Sequence, residues 1–472
     1  MSKNELLKSY TSKIGEKNGI RRVWITSNKI HETELIEHLR YEPEYDFINK
    51  RIILRAGFSH KITLRNTNNM PVIDILNKNI NEIFDGFYHV VIKLFNDEII
   101  IEPLREEIEQ NKAKEKAYSS FPTAIEIFAG GGTLIKALND AGIKTIAAVE
   151  LEDKYLQNLE ANNPNIVTHC GDLAKLDVNI LPKNADIVVA GAPCEGFSIA
   201  NTKSEKFENH PTGSLGFFVL KIIDVVRPAV AIIEEVPNFR TSSMAALIRY
   251  VLTSFGYEIS ETILHANEYG SLTKRKRYCM VASMKKGFQF DDSLKKPNTK
   301  TVLDILEIPI EDREWLTREN SKSIAYSLLK EQEHIRKGDG FRIARTYIED
   351  SLVATVTKGY YLNRITDPLL INPHNSDMFS WFTPRELARI NGLPDNFKLT
   401  PSAKSTCGEI IGQGVSYDAF YAVGQMVINH FNDVEIDREQ EALEDFKSKI
   451  TSTSTSAYDD CTLKSFMNGS LF

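Results

Sequence analysis

Two rhythms of apolar and polar positions run along the chain. Between residues 21 and 101, short apolar runs recur: Arg22-Val-Trp-Ile25, Arg51-Ile-Ile-Leu54, Lys61-Ile-Thr-Leu-Arg65, Val90-Val-Ile-Lys-Leu-Phe95 and Glu98-Ile-Ile-Ile-Glu102. Such runs predict strands, and Asn96-Asp97 between the last two predicts a hairpin turn. Residues 1–102 read as a separate β-rich domain whose first twenty residues are polar and frayed. Its nearly balanced charge gives no sign of a polyanion partner, and a β module for packing or dimerisation is the favoured reading, although the hairpin layout resembles small swapped-hairpin DNA-binding domains. Residues 103–122 are charged and helix-prone, and read as a linker broken at Ser119-Ser120-Phe121-Pro122.

From Thr123 the rhythm becomes strand, helix, strand. Ala124-Ile-Glu-Ile-Phe128, Thr145-Ile-Ala-Ala-Val149, Ile166-Val-Thr-His169, Ile187-Val-Val-Ala190 and Ala229-Val-Ala-Ile-Ile-Glu234 predict five strands. Helices are expected over 134–141, 153–161 and 215–226. Repeated βαβ units predict an α/β fold with a doubly wound, mostly parallel, Rossmann-like sheet. Residues 285–380 lose the rhythm and read as an inserted smaller domain with strand-like Phe341–Arg345 and Leu352–Thr357. The catalytic domain thus spans 123–284 and is completed by a return segment, 381–432. There Thr383-Pro-Arg-Glu386 predicts a capped helix start, and Gly412-Gln-Gly-Val415 opens a last helix. Residues 433–472 are an acidic, Ser/Thr-rich tail.

Composition changes this picture little. The 472 residues are 42% apolar and 26% charged, as in ordinary globular domains. No apolar run approaches a membrane span and the N-terminus lacks a signal-peptide core, so a cytoplasmic protein with no membrane partner is expected. Five cysteines without Cys-x-x-Cys spacing argue against a disulfide framework or a metal site. The net charge of −7 is unevenly spread. The tail carries much of the acid excess, whereas residues 265–365 are net basic, where a polyanion can dock.

The candidate chemistry lies at strand ends, where open α/β sheets bind ligands. Pro193-Cys194 follows the fourth strand directly and Glu234 ends the fifth, which points to a thiol nucleophile with an acid partner. Phe128-Ala-Gly-Gly-Gly132 sits between a strand and a helix, where backbone amides can approach a ligand. Glu150 ends the second strand and can accept from two ribose hydroxyls. Asp172 follows the third and can accept from an adenine amino group. Taken singly, each acid reads equally well as a helix cap. Together they describe a nucleoside site, and without GxGxxG or GxxxxGK[ST] that site suits S-adenosylmethionine better than a dinucleotide or a nucleoside triphosphate.

With these residues in hand, the chain from about 123 to 432 resembles the DNA cytosine-5 methyltransferase family. The resemblance rests on Phe128–Gly132, Glu150, Gly171-Asp172, Pro193-Cys194 with Phe197-Ser198, Glu234 with Val236, Arg275-Lys-Arg277, Thr383–Asn391 with Gly392–Asp395, and Gly412–Val415. It implies an S-adenosylmethionine-dependent methyltransferase sheet with a target-recognition domain inserted between Arg277 and Arg385. Its substrate would be a cytosine flipped out of double-stranded DNA. Cys194 would attack cytosine C6, Glu234 would contact N3 and N4, and Arg277, seconded by Arg275, would contact O2. The cofactor would be held by Phe128, Ala129, Gly130, Gly132, Thr133, Glu150, Leu151, Asp172, Leu173, Pro193, Gln413 and Val415. Ser198, Lys203 and Lys206 lie in a polar segment that reads either as a loop closing over the base or as ordinary surface. Arg336, Lys337, Arg342 and Arg345 are candidate DNA contacts, and equally a solvated basic face. An RNA cytosine-5 methyltransferase and a catalytically weak DNA-binding module are the alternatives. A monomer, with or without a cognate restriction endonuclease, is the expected setting.

Four positions depart from the family pattern: Glu195 for Gln, Glu235 for Asn, Thr273 for Gln and Gln413 for Asn. Two of them place acid beside Cys194 and Glu234, which predicts a slow enzyme unless Arg275 or Arg277 offsets that charge.

Overall fold

The computed structural model describes residues 6–37, 39–65, 69–116, 121–192, 215–362 and 366–432. The chain divides into two units, Met1–Glu115 with Ser254–Gly256, and Lys116–Thr253 with Tyr257–Phe472.

The first unit is β-rich, as the alternation predicts. A six-stranded sheet runs in the order Leu6–Lys13, His89–Phe95, Glu98–Pro103, Arg51–Ala56, Arg40–Asp46, His60–Lys61. A four-stranded sheet runs Gly15–Lys17, Ile20–Thr26, Pro71–Leu76, Thr63–Leu64. Val23, Ile25, Leu54, Ile73, Ile92 and Ile99 share one core. The hairpin at Asn96-Asp97 forms, with Ile99 opposite Leu94.

Two expectations for this region need correction, and a third is met as to its helix. Leu6–Lys13 is not frayed but pairs antiparallel with His89–Phe95, Tyr10 opposite Ile92. It is an edge strand, and edge strands tolerate the polar residues that disguise it. Lys61–Arg65 is not one strand: the chain crosses from one sheet to the other through buried Ile62. The charged stretch after residue 103 is a helix, Arg105–Lys116, and its start is docked rather than free. Glu107 accepts from the backbone amides of Tyr88 and His89 at 2.8 and 3.1 Å, and Ile108 packs on the core.

The second unit is built on seven strands: β1 Thr123–Ile127, β2 Lys144–Glu150, β3 Val167–Cys170, β4 Ile187–Gly191, β5 Val230–Glu235, β6 Glu258–His265 and β7 Lys276–Ser283. Their order is β3-β2-β1-β4-β5-β7-β6. Only β7 runs against its neighbours. Chain progression reverses between β1 and β4, which opens a crevice at their carboxyl ends. Helices Thr133–Asp140 and Tyr417–Asn432 cover one face, burying Leu134, Leu138, Phe420, Val423 and Val427 against Ile187, Val189 and Ile232. Gly424 is required there, because a Cβ would lie 2.6 Å from that of Ala141.

In the insert, helix Lys322–Lys337 accompanies a three-stranded sheet of Ala344–Thr346, Pro368–Asn372 and Asn375–Ser380. The expected strand over Leu352–Thr357 does not form. Val353 and Val356, spaced by three rather than two, are both buried in the cluster around Tyr360 and Phe382. The capped helix is present as Pro384–Ile390, with Thr383 and Glu386 forming a capping box. Gly412-Gln413 does not open the last helix. It closes a preceding helix, Lys404–Gln413, and the chain turns at Gly414 before Tyr417–Asn432 begins.

Candidate active site at the strand ends

After β1 the backbone turns sharply. Phe128, Gly130 and Gly132 all have positive φ, at 58°, 53° and 85°. That conformation is open to glycine and strained for phenylalanine. The amide of Ala129 donates to the carbonyl of Val149 at 3.1 Å, which ties the loop to β2. Glu150 braces it from the same side. Its Oε2 accepts from the Gly130 amide at 2.7 Å and its Oε1 from the Glu152 amide at 3.0 Å. Asp172 accepts from the amide of Ala174 at 3.0 Å. Both acids therefore serve as local caps, while each carboxylate keeps lone pairs for a ligand. Leu151 beside them is exposed and Leu173 is buried.

The return segment closes the far side of this loop. Thr133 Oγ1 accepts from the Val415 amide at 3.3 Å, and the position a Gly130 Cβ would take is 3.5 Å from Gln413 Nε2. The structure thus brings together Phe128, Ala129, Gly130, Gly132, Thr133, Glu150, Gln413 and Val415 from three separate stretches.

The second cluster lies two strands away. Glu234, the next-to-last residue of β5, stands opposite Gly191, the last residue of β4. Arg277 near the start of β7 places Nε 2.7 Å from Glu234 Oε1, and both side chains are largely buried. Burial pushes the Glu234 carboxyl above the usual range, and the guanidinium groups of Arg277 and Arg275 oppose that. Pro193, Cys194, Ser198, Lys203 and Lys206 lie outside the described residues.

Arg275 plays a different part from the one its sequence neighbourhood suggests. It is 1% exposed, and it donates to the carbonyls of Gly414, Gly412 and Val356 at 2.6, 2.7 and 2.7 Å. It clamps the turn that carries Gln413 instead of facing a substrate. Arg345 also departs from expectation. It forms a bidentate pair with Glu331 at 2.7 and 2.8 Å, so its guanidinium is committed within the insert. Arg336 and Lys337 are exposed in the last turn of their helix, and Arg342 is exposed beside it.

Two further features escape sequence reasoning. Glu126, in the middle of β1, is 1% exposed, and its Oε2 has no hydrogen-bond partner. The signal was present as an acid inside an apolar strand run. Glu235 is also buried and accepts from the Val236 amide at 2.8 Å. Burial pushes its carboxyl up to about 8.

Residues 123–429 match the profile of the C-5 cytosine-specific DNA methylase family. The chain is similar to the Type II methyltransferase M.DsaV of Dactylococcopsis salina, 27% identical over 327 residues, covering 67% of this chain and 88% of that protein. It is also similar to the Type II methyltransferase M.HhaI of Haemophilus parahaemolyticus, 27% identical and covering 59% and 86%. Among solved structures, the S. pombe Dnmt2 methyltransferase superposes with a TM-score of 0.54 at 19% identity, over 66% of this chain and 99% of that one. That likeness concerns the fold.

Proposed function

The chain belongs to the C-5 cytosine-specific DNA methylase family and is a DNA cytosine-5 methyltransferase; we propose that Cys194, Glu234 and Arg277 carry its chemistry, with S-adenosylmethionine as methyl donor. The observation that carries this reading is the buried Glu234–Arg277 pair, set beside the strand end that leads into Pro193-Cys194.

Cytosine C5 is a weak nucleophile. Addition of a thiolate at C6 turns the ring into an enamine-like species whose C5 can take a methyl group. Electron density then builds on N3 and O2. Glu234, kept protonated or sharing a proton by its burial, stabilises N3 as a general acid. Arg277 stabilises O2 electrostatically. The target base must leave the duplex stack, at a cost of a few kcal/mol.

The loop residues fit the donor. Gly130 leaves open the space a side chain would fill toward Gln413, Glu150 retains acceptor capacity for ribose hydroxyls, and the unpartnered Glu126 oxygen suits a positively charged ligand. When bound, the donor supplies an electrophilic methyl group on a sulfonium. Phe128–Thr133, Glu150, Leu151, Asp172, Leu173, Pro193, Gln413 and Val415 would hold it.

Double-stranded DNA is the proposed substrate, approached by the exposed Arg336, Lys337 and Arg342. The relatives' designation as Type II methyltransferases supports a setting beside a separate restriction endonuclease. No helix among the described residues is long and apolar enough to cross a membrane; a cytoplasmic setting is proposed from the DNA substrate. Incubation with duplex DNA and a radiolabelled methyl donor should yield 5-methylcytosine, and duplex bearing 5-fluorocytosine should trap a covalent adduct lost in Cys194→Ser. Label entering tRNA but not duplex DNA would overturn the DNA reading.

A further inference from the structure

One asparagine outside the glycine loop holds the loop's central peptide. Gly131 is buried, and its carbonyl accepts from Asn158 Nδ2 at 3.0 Å. Asn158 lies on the helix Asp153–Asn162 that follows β2, and it is 0% exposed. Its Oδ1 accepts from the Thr400 amide at 2.9 Å and from the Thr400 hydroxyl at 3.2 Å. These partners leave the side-chain amide one orientation. The Thr400 N–H can only donate and the Gly131 carbonyl can only accept.

A second asparagine, one helical turn on, supplies a comparison. Asn162 Nδ2 donates to the Lys398 carbonyl at 2.9 Å, and its Oδ1 accepts from the Lys398 amide at 2.8 Å. Asn162 thus docks the same helix on the same stretch of the return segment, and its bonds end on Lys398 and on its own helix. Asn158 alone of the two reaches the loop.

That bond falls where the loop is least able to order itself. Gly131 stands between two other glycines, with no side chain to favour one peptide orientation. The carbonyls of Ala129 and Gly132 are taken by the backbone amides of Gly132 and Lys136 at 3.1 and 3.0 Å, whereas that of Gly131 depends on a side chain. A buried carbonyl left without a donor is costly, so the peptide settles where Asn158 can meet it. On its other side Gly131 lies against Ile410, whose Cγ2 would be 2.4 Å from an added Cβ. Ile410 belongs to helix Lys404–Gln413, which also carries Gln413. We infer that Asn158 is a positioning residue for donor binding: its amide locks the Gly131 peptide, and through it the loop Phe128–Thr133, in the form that receives the donor. The inference rests on the methyl-donor reading of the loop and adds to it a residue outside both the loop and the catalytic pair.

Titration calorimetry with S-adenosylmethionine tests this on Asn158→Asp. When protonated, the new carboxyl can still donate to the Gly131 carbonyl. When ionised, it only accepts and sets one oxygen against another. Relative to the wild-type protein at the same pH, donor affinity should fall by up to about tenfold per unit as pH rises through the group's titration. A flat ratio in the folded variant, with only its melting temperature changing with pH, would mark a purely structural residue and overturn the inference. Asn158→Ala needs no titration. Its KM for the donor should rise about tenfold, the size of one lost bond to a buried acceptor. Its kcat at saturating donor and its KM for duplex DNA should stay within about twofold of wild type. Asn162→Ala removes the neighbouring staple and should lower the melting temperature with donor KM unchanged. A donor KM unchanged in Asn158→Ala, or raised equally in both alanine variants, would also overturn the inference. Failure of folded wild-type protein to bind S-adenosylmethionine would instead remove the methyl-donor reading, and the inference with it.

Discussion

Arg277 holds Glu234 through a 2.7 Å contact from Nε to Oε1, with both side chains largely withdrawn from water. The pair joins the end of β5 to the start of β7, the one strand that runs against the sheet. A contact so placed fixes the acid's orientation, and burial favours its protonated form. Glu234→Gln should therefore keep the shape and lose the acid. Turnover should fall about 10²- to 10⁴-fold, with donor affinity unchanged by calorimetry. Arg277→Ala should cost about 10²- to 10³-fold, the usual size for removing one oxyanion donor. Because burial raises the Glu234 carboxyl, wild-type turnover should decline on the alkaline side as the acid loses its proton. A Glu234→Gln variant with wild-type turnover would remove the acid from the mechanism.

Arg275 is two residues away and predicts the opposite pattern. Its donors end on the carbonyls of Gly412, Gly414 and Val356. Arg275→Ala strands those buried acceptors, at about 1–3 kcal/mol for each left unpaired. It also frees the turn that carries Gln413. Donor affinity should fall at least tenfold, and the melting temperature should drop. Arg277→Ala should leave donor affinity nearly intact. Calorimetry on the two variants side by side separates clamp from catalyst, and equal loss of donor affinity in both would refute the distinction.

The difference between these arginines marks where sequence reading reaches its limit. Parallel strands buried on both faces read as continuous apolar runs, so Ile187–Ala190 and Val230–Ile233 were legible, and with them the ends that carry Cys194 and Glu234. Strand β6 was not: its Glu-Ile-Ser-Glu-Thr-Ile alternation resembles a surface segment because it is the sheet's outer strand. Arg275 and Arg277 occupy one short basic motif, and only the distant return segment decides that one is clamped by carbonyls. Glu126 was passed over because an acid inside a strand gives no local sign of whether it is paired.

Glu235 corrects an expectation about rate. An acid beside Glu234 suggested added negative charge, but burial pushes this carboxyl up to about 8, so it is neutral at pH 7. The expected charge penalty from this position is therefore absent near neutrality. An acid whose folded pKa lies above its unfolded one gives stability that is complete below the unfolded pKa, near 4.5, and is lost as pH rises toward 8. Each unit in that window costs about 1.4 kcal/mol. Glu235→Gln should lessen the decline, so that urea midpoints at pH 6 and pH 8 lie closer together in the variant than in the wild type. Parallel pH dependence in the two proteins would sink this account.

A buried ion pair joins the insert to the return segment. Arg313 and Glu386 are 2% and 0% exposed and bonded to each other. Glu386 also accepts from the amides of Glu307 and Thr383 at 2.8 and 2.9 Å, and Arg313 donates to the carbonyls of Ile308 and Trp381 at 3.1 and 3.3 Å. One carboxylate thus ties the insert's first loop to the capped helix Pro384–Ile390. Withdrawing two charges from water is costly, and the arrangement repays that only while every bond is made. Arg313→Ala leaves Glu386 buried and uncompensated and should lose about 3–5 kcal/mol in urea unfolding. Arg313→Met with Glu386→Leu removes both charges and should recover much of that loss. The double variant should still bind donor normally, because neither residue touches the Gly130 loop. Its affinity for target DNA should fall, because the loop at 307–313 has lost the bonds that hold it in register. Unchanged DNA affinity in a stable double variant would show that the pair serves stability alone.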